Sequence, residues 1–320
     1  MKKNKTQKDL YTGQLTLQRS FKLYKVLYLM MIPGILFYIL FKYVPMVGLL
    51  IAFEDYQPFS GFSGIFSGLT EHWVGLKWFK RFLSSIYAER LIGNSFTISF
   101  KKLLFGFPTP IMLAILLSSL THKRYTKFVQ TVSYLPHFLS TVIICSIVRT
   151  VTSTDGGLIN MIIKAFGGTP IFFIGRNDTF QGTLVATTVW STIGWNSIIY
   201  LAAITGIDPA LYEAATVDGA DWHQKIWHVT LPALAPIISL MLILRCGDLL
   251  DAGFDQILQL YSSMVYKKGD IIDTYVYREG LLNLKYSYST AVNMFKSVLA
   301  LVLVLSSNFA AKKMGQEGIW

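Results

Sequence analysis

Six apolar runs separated by polar stretches constrain this chain more than any other feature. They can be drawn near residues 26–50, 92–119, 130–151, 182–204, 233–250 and 291–311. A helix needs about 20 apolar residues to cross a hydrocarbon core, where its backbone groups must be paired within the segment. The expected fold class is therefore all-α: a polytopic membrane protein with six transmembrane helices. Composition agrees, because 52% of the 320 residues are hydrophobic and only 15% are charged, against about 25% charged in ordinary soluble domains. The first run, Val26 to Phe53, is too long for a cleaved signal peptide, and no small-residue cleavage site follows it. Pro33-Gly34, Pro45, Pro108, Pro110 and Pro136 fall inside runs, where they suggest bends whose freed carbonyls are satisfied by neighbouring helices or water.

Orientation follows from the basic residues of short loops and tails. Lys2, Lys3, Lys5, Lys8, Arg19, Lys22 and Lys25 precede the first run; Lys123, Arg124 and Lys127 follow the second; Lys312 and Lys313 follow the sixth. Alternation of six spans puts all three groups on one side, which the positive-inside rule makes cytoplasmic. The expected organisation is a basic cytoplasmic extension over 1–25, a six-span domain over 26–311 and a cytoplasmic tail over 312–320. No soluble domain of useful size is expected, which excludes a fused ATPase or binding protein. The net charge of +11 is then a matter of orientation and anionic headgroups. No motif supports nucleic-acid binding.

The polar segment 205–232 lies on the cytoplasmic side of this topology. Asp208-Pro209 supplies an N-cap acceptor and a proline at the first helical position, so a short helix should begin there. Ala210, Ala214, Ala215 and Ala220 keep its surface low, and Gly219 permits a sharp turn. Such a surface suits docking of a partner protein. The three opposite loops, roughly 53–91, 152–181 and 251–290, are too long for tight turns and should contain short helices. Phe53, Tyr56, Phe59, Phe62, Phe66, Trp73, Trp78 and Phe79 in the first of them fit an aromatic belt at the membrane interface.

Glu213-Ala214-Ala215, Gly219 and Val229-Thr230-Leu231-Pro232 carry the spacing EAA, three residues, G, nine residues, I, one residue, LP, with Val229 in place of isoleucine. This resembles the motif of the membrane-spanning permease subunits of bacterial ABC importers. Val74-Gly75-Leu76-Lys77 is similar to a stretch before the second span of carbohydrate-type permeases, although Trp78 replaces the usual asparagine. Arg19-Ser20-Phe21, Tyr43-Val44-Pro45, Tyr134-Leu135-Pro136, Asp155-Gly156-Gly157-Leu158 and Trp195-Asn196-Ser197-Ile198 extend the likeness over nearly the whole chain. They resemble the LplB-type polysaccharide permeases.

The resemblance implies the type I ABC importer permease fold, in a bacterial plasma membrane. It implies import of complex oligosaccharides, some containing uronic acids, together with a second, homologous permease, two ATPase subunits and an extracytoplasmic solute-binding protein. ATP and magnesium would be held by the ATPase subunits, with no cofactor in this chain. Coupling to the ATPase would fall to Glu213, Ala214, Ala215, Asp218, Gly219, Leu231 and Pro232.

Catalytic constellations are not found in the sequence. There is no phosphate-cradling G-x-x-x-x-G-K-[ST], no H-E-x-x-H and no G-x-S-x-G. His223 and His228 are five apart, off the spacing for a shared metal, and Cys145 and Cys246 fall inside apolar runs. Cations within or near the runs matter more, because an ionisable group in hydrocarbon is paired or functional. Lys101, Lys102, Arg149, Arg245 and Lys296 all fall in the outer half. Snorkelling would account for Lys101, Lys102 and Arg149, and Asp248, one turn away, could pair with Arg245. The alternative is that Arg245 and Lys296 face a cavity and counter the carboxylates of an acidic oligosaccharide. Trp190, Trp195, Asn196 and Tyr200 in the fourth run offer flat faces and an amide suited to sugar rings. Competing readings are an ABC permease for amino acids, peptides or ions, an ion-driven secondary carrier, which would place carboxylates in mid-span, and a membrane enzyme.

Overall fold

The computed structural model describes residues 23–57, 59, 61, 64–65 and 72–313. Lys2, Lys3, Lys5, Lys8, Arg19 and Lys22, the aromatics Phe62 and Phe66, and residues 314–320 lie outside the described residues. Among those described the chain is helical, its one β pairing being an isolated bridge between Glu54 and Trp73. It divides into two compact units, Met1–Val74 and Gly75–Trp320.

The first unit carries the first membrane-length helix, Lys25–Phe53. Its middle widens into a π segment, Ile39–Tyr43, just before Pro45. A proline ring collides with the carbonyl four residues back, and a widened turn relieves that collision. No residue from Lys25 to Met46 is buried, so an apolar surface remains all round, as contact with lipid requires. At its end Phe53 stacks on Trp73 with ring centroids 5.5 Å apart.

In the second unit, single helices run over Ala88–Ser118, Trp222–Gly247 and Tyr286–Phe309. The third apolar run differs from expectation. It is two helices, Lys123–Phe138 and Thr141–Thr152, meeting at 107°. Pro136 lies in a 3-10 turn, Leu135–Phe138, and extended Ser140 starts the next helix by accepting from the Ile143 N–H. Twelve residues from Thr141 to Thr152 rise only about 18 Å, short of the ~30 Å core. The fourth helix, Asn177–Thr205, bends by 70° into Pro209–Val217.

The fifth helix begins at Trp222, so residues 222–232 of the expected 205–232 loop belong to it. A second π segment, Ile226–Thr230, precedes Pro232 and accommodates it as the first does Pro45. Close approach decides one glycine. A Cβ on Gly194 would sit 2.1 Å from the Ser133 carbonyl oxygen, so only glycine lets the third and fourth segments touch there.

Two buried clusters hold the unit together. One gathers Ile98, Cys145, Phe180, Leu184, Ile257 and Ile271; the other gathers Ile111, Ala114, Ile115, Tyr200, Ile204 and Leu234. Along the second and fourth helices they are separated by the more polar stretches 99–110 and 187–197. The long loops contain helices, as anticipated: Lys77–Leu83, Leu158–Ala165, Phe254–Leu260 and Ile272–Tyr277. Trp78 departs from the interface belt expected of it. It is buried, its ring 6.1 Å from that of Tyr288, while Phe82 next to it packs on Phe295.

Candidate functional site: a capped lever and a polar cavity

The segment between the fourth and fifth helices is built almost wholly from local signals. The Asp208 carboxylate accepts the Ala210 N–H at 2.9 Å, capping Pro209–Val217 as the sequence implied. At the other end the Ala220 N–H donates to Ala215 O and the Gly219 N–H to Thr216 O, a Schellman closure. Gly219 has φ +76° with open space around it. The left-handed backbone, not crowding, is what requires glycine here. Asp221 then forms a reciprocal capping box with Gln224 and starts the fifth helix.

Two side-chain bonds join Pro209–Val217 to the start of the fifth helix, and a third ties that start to the second helix. Tyr212 Oη and Thr230 Oγ1 lie 3.0 Å apart, Lys225 Nζ donates to Thr216 Oγ1, and Trp222 Nε1 donates to Ser119 Oγ at the end of the second helix. Pro209–Val217 itself buries no residue. Glu213, Ala214, Asp218 and Gly219 are exposed, and Leu211 and Val217 add apolar surface, Val217 being 87% exposed. Leu231 sits differently: it packs against the cluster around Tyr200 and Leu234, so with Pro232 it forms the root of the lever.

At the opposite end of these helices, the chain from Asp248 to Lys285 is fastened to distant parts of the sequence. Asp270 is fully buried and takes Arg90 and Arg278 together, at 3.2 and 2.9 Å, with the Thr274 hydroxyl at 2.9 Å. Burial works against the Arg278 charge, but its bonds to Asp270 outweigh this and hold the guanidinium above its usual value. The Asn94 amide donates to the carbonyls of Lys267 and Asp270, and Ser95 Oγ accepts the Ile272 N–H.

Of the cations expected to snorkel, Lys102 and Arg149 serve this same fastening directly, and Lys101 does so through Gln181, whose amide donates to the Lys268 carbonyl. Lys102 Nζ donates to Ala252 O at 2.8 Å and Gln256 Oε1 at 2.5 Å, Lys101 to Gln181 at 2.8 Å, and Arg149 to the Gln259 carbonyl. Neutral acceptors inside the fold replace the water that snorkelling would have sought. Lys296, expected to face a cavity as a free cation, is paired with Asp273 at 2.6 Å. Burial raises the Asp273 carboxyl and Lys296 partly lowers it again. Arg245 forms no ion pair with Asp248, because Asp248 is the C-cap and leaves the helical path. Its guanidinium reaches Asn196 Oδ1 at 3.4 Å, and among the described residues it has no ion pair.

Between the two buried clusters lies a cavity of about 510 Å³ bounded by the second, fourth and fifth helices, a size typical of small-molecule sites. The structure brings Trp195, Asn196, Tyr200 and Arg245 to its wall, and it adds Lys102, Thr188, Thr192, Asp248 and Asp251. The Trp195 indole is stacked on His137 at 4.5 Å, at the break of the third segment. Trp190 is exposed and lies off this wall, as does Lys296. Gln256, which joins Lys102, Thr188 and the Leu184 carbonyl, escaped sequence reasoning. A neutral amide in a polar loop carries no pattern that marks it.

Comparison with known proteins agrees with this architecture. A family model described as the binding-protein-dependent transport system inner membrane component matches residues 106–314. The chain is 45% identical over 296 residues to the polygalacturonan/rhamnogalacturonan transport system permease protein YteP of Bacillus subtilis (strain 168), covering 92% of this chain and 90% of that one. It is 42% identical to Protein LplB of the same organism, covering 92% and 91%. Among solved structures, a bacterial ABC transporter involved in the import of the acidic polysaccharide alginate has a chain with TM-score 0.84 at 38% identity, over 93% of this chain and 98% of that one. A bacterial alginate ABC transporter in complex with alginate pentasaccharide-bound periplasmic protein gives TM-score 0.85 at 37% identity, over 95% and 99%. The chain belongs to the binding-protein-dependent transport system inner membrane component family and is a permease, the non-catalytic membrane subunit of an ABC importer.

Proposed function

We propose that this permease forms half of a translocation pathway for oligo- or polysaccharides, uronate-containing ones among them, handed over by an extracytoplasmic binding protein. One observation carries this reading: a cavity walled by an indole, an amide, a phenol and a guanidinium with no ion pair among the described residues. Flat apolar faces suit pyranose rings, the amide and hydroxyls suit sugar hydroxyl groups, and Arg245 suits a carboxylate. The saccharides named for YteP and the alginate transporters support the same class.

In this reading the exposed helix Pro209–Val217 faces the cytoplasm, on the side of Lys123, Arg124, Lys127, Lys312 and Lys313, and both termini are cytoplasmic. A second, homologous permease completes the pathway, and two ATPase subunits holding ATP and magnesium dock on the paired levers. Glu213 makes a polar contact there, and Leu211 and Val217 fill an apolar cleft. Closure of the ATPases moves the lever, and Leu231 and Pro232 at its root pass that motion to the fifth helix, switching the cavity between the two sides.

The test is ATP hydrolysis by the assembled, reconstituted transporter with its binding protein, over a panel of neutral and uronate oligosaccharides. Stimulation by uronate oligomers, reduced by Arg245→Met, is the expected result. Stimulation by amino acids or peptides alone would replace the saccharide reading with another solute class.

A further inference from the structure

We propose that a second cavity, of about 450 Å³ between the sixth helix and the far-end helices, is a saccharide subsite that takes an uncharged sugar unit next to the central cavity. The inference rests on the saccharide reading above. Asp251 joins the two spaces, since it lines both. Its carboxylate is held in place by the Gly253 N–H at 3.1 Å, at the turn that leaves the fifth helix. A chain-like substrate lying in the central cavity would therefore reach the second one by passing this carboxylate, whose remaining oxygen can accept a sugar hydroxyl.

The wall of the second cavity has the chemistry of a sugar site. Phe254 and Tyr277 present rings with centroids 5.7 Å apart, tilted by 54°. Asn293 points an exposed amide from the sixth helix, with no side-chain hydrogen bond among the described residues. Asp273 and Lys296 complete the polar side.

Charge separates this cavity from the central one. Lys296 Nζ lies 2.6 and 2.7 Å from the two Asp273 oxygens, so its charge is spent on that carboxylate and Asp251 remains as an excess negative group. The central cavity, by contrast, carries Lys102 and Arg245 on its wall, neither of them in an ion pair among the described residues. A uronate would be repelled from the second cavity, whereas a neutral sugar would donate hydroxyl hydrogen bonds to its acids. The pair of cavities thus discriminates by position along the chain as well as by charge.

The experiment is uptake into proteoliposomes by the assembled transporter, wild type and Asn293→Phe, with digalacturonate, hexagalacturonate and an alternating rhamnose–galacturonate hexasaccharide as probes. Phenylalanine fills the second cavity without breaking a hydrogen bond. Wild type should favour the alternating hexasaccharide over hexagalacturonate, and Asn293→Phe should lower the ratio of alternating hexasaccharide to digalacturonate uptake about tenfold. A second variant, Asn293→Asp, adds negative charge without bulk and should sharpen discrimination against hexagalacturonate. Equal loss for all three probes, or ratios unchanged in both variants, would overturn the subsite while leaving the saccharide reading intact. Uptake of none of the three by wild type would overturn both.

Discussion

The lever at 208–232 and the far-end loop at 248–285 sit at opposite ends of the fourth and fifth helices and are stabilised in contrasting ways. The lever is shaped by neighbours in sequence: an Asp208 cap, a Schellman closure at Gly219 and the Asp221–Gln224 box. Its first helix buries nothing. The loop is shaped by partners far away in sequence, with Asp270 bound to Arg90, Ala252 to Lys102 and Ile272 to Ser95. A locally determined element can keep its form while its surface stays open to another protein. An element that walls a cavity needs its position set by the rest of the fold, so its polar groups are consumed internally.

The contrast breaks most easily at Asp270. Asp270→Ala leaves Arg90 and Arg278 without their carboxylate, and removal of one partner from a buried pair costs about 3–5 kcal/mol. Thermal unfolding of the purified subunit should show a large fall; a small one would mean that the loop is not fastened through this residue.

Next in size is Lys296→Met, which strands the partly buried Asp273 carboxylate at a cost of about 1–3 kcal/mol. Asp273→Asn should cost less, because burial already raises that carboxyl against the pull of Lys296. With its folded value raised, the carboxyl favours folding while protonated and loses that contribution as pH rises through the raised value. Wild type should accordingly lose stability relative to Asp273→Asn as pH rises from acid to neutral. Unfolding curves of the two proteins across that range would reveal the opposite trend if the ion pair prevailed over burial.

Changes in the lever should act on partnership more than on stability. Gly219→Val forces a β-branched residue to a φ of +76°, a strain of about 1–2 kcal/mol. The midpoint of unfolding should barely move, while co-purification of the ATPase subunits and saccharide-stimulated hydrolysis are lost. Retention of both would argue against the lever. The smallest effect is expected of Asp208→Ala, about 1 kcal/mol, confined to faster hydrogen exchange over Pro209–Val217 with global unfolding unchanged.

These differences track what could be read before the fold was known. Asp208-Pro209 and Gly219 announced a capped helix and a left-handed turn because capping acts over three or four residues. The long apolar runs announced membrane helices for the same reason, since hydropathy and helical rise need no tertiary partner. Pro136 marked a bend in the third run, but a break as sharp as 107° was not legible there. Hydropathy sums over a window and is blind to a change of direction. Trp78 was misassigned to an interface belt because a tryptophan beside the sixth helix and one at a lipid boundary have the same sequence signature.

The cations show the limit most clearly. Lys101, Lys102, Arg149, Arg245 and Lys296 could be placed at one depth from the sequence, but not given partners. Four of them bond to carbonyls or amides 49 to 154 residues away, and Lys296 to an aspartate 23 away. By itself the sequence determined the membrane setting, the helical class, the lever and the family likeness, because each depends on length, periodicity or fixed local spacing. Only the tertiary structure decided that Arg245 lines the central cavity with no acid partner among the described residues, that Lys296 is neutralised, and that Asp251 stands between two cavities. Such choices depend on which distant groups the packing of helices brings within hydrogen-bond reach.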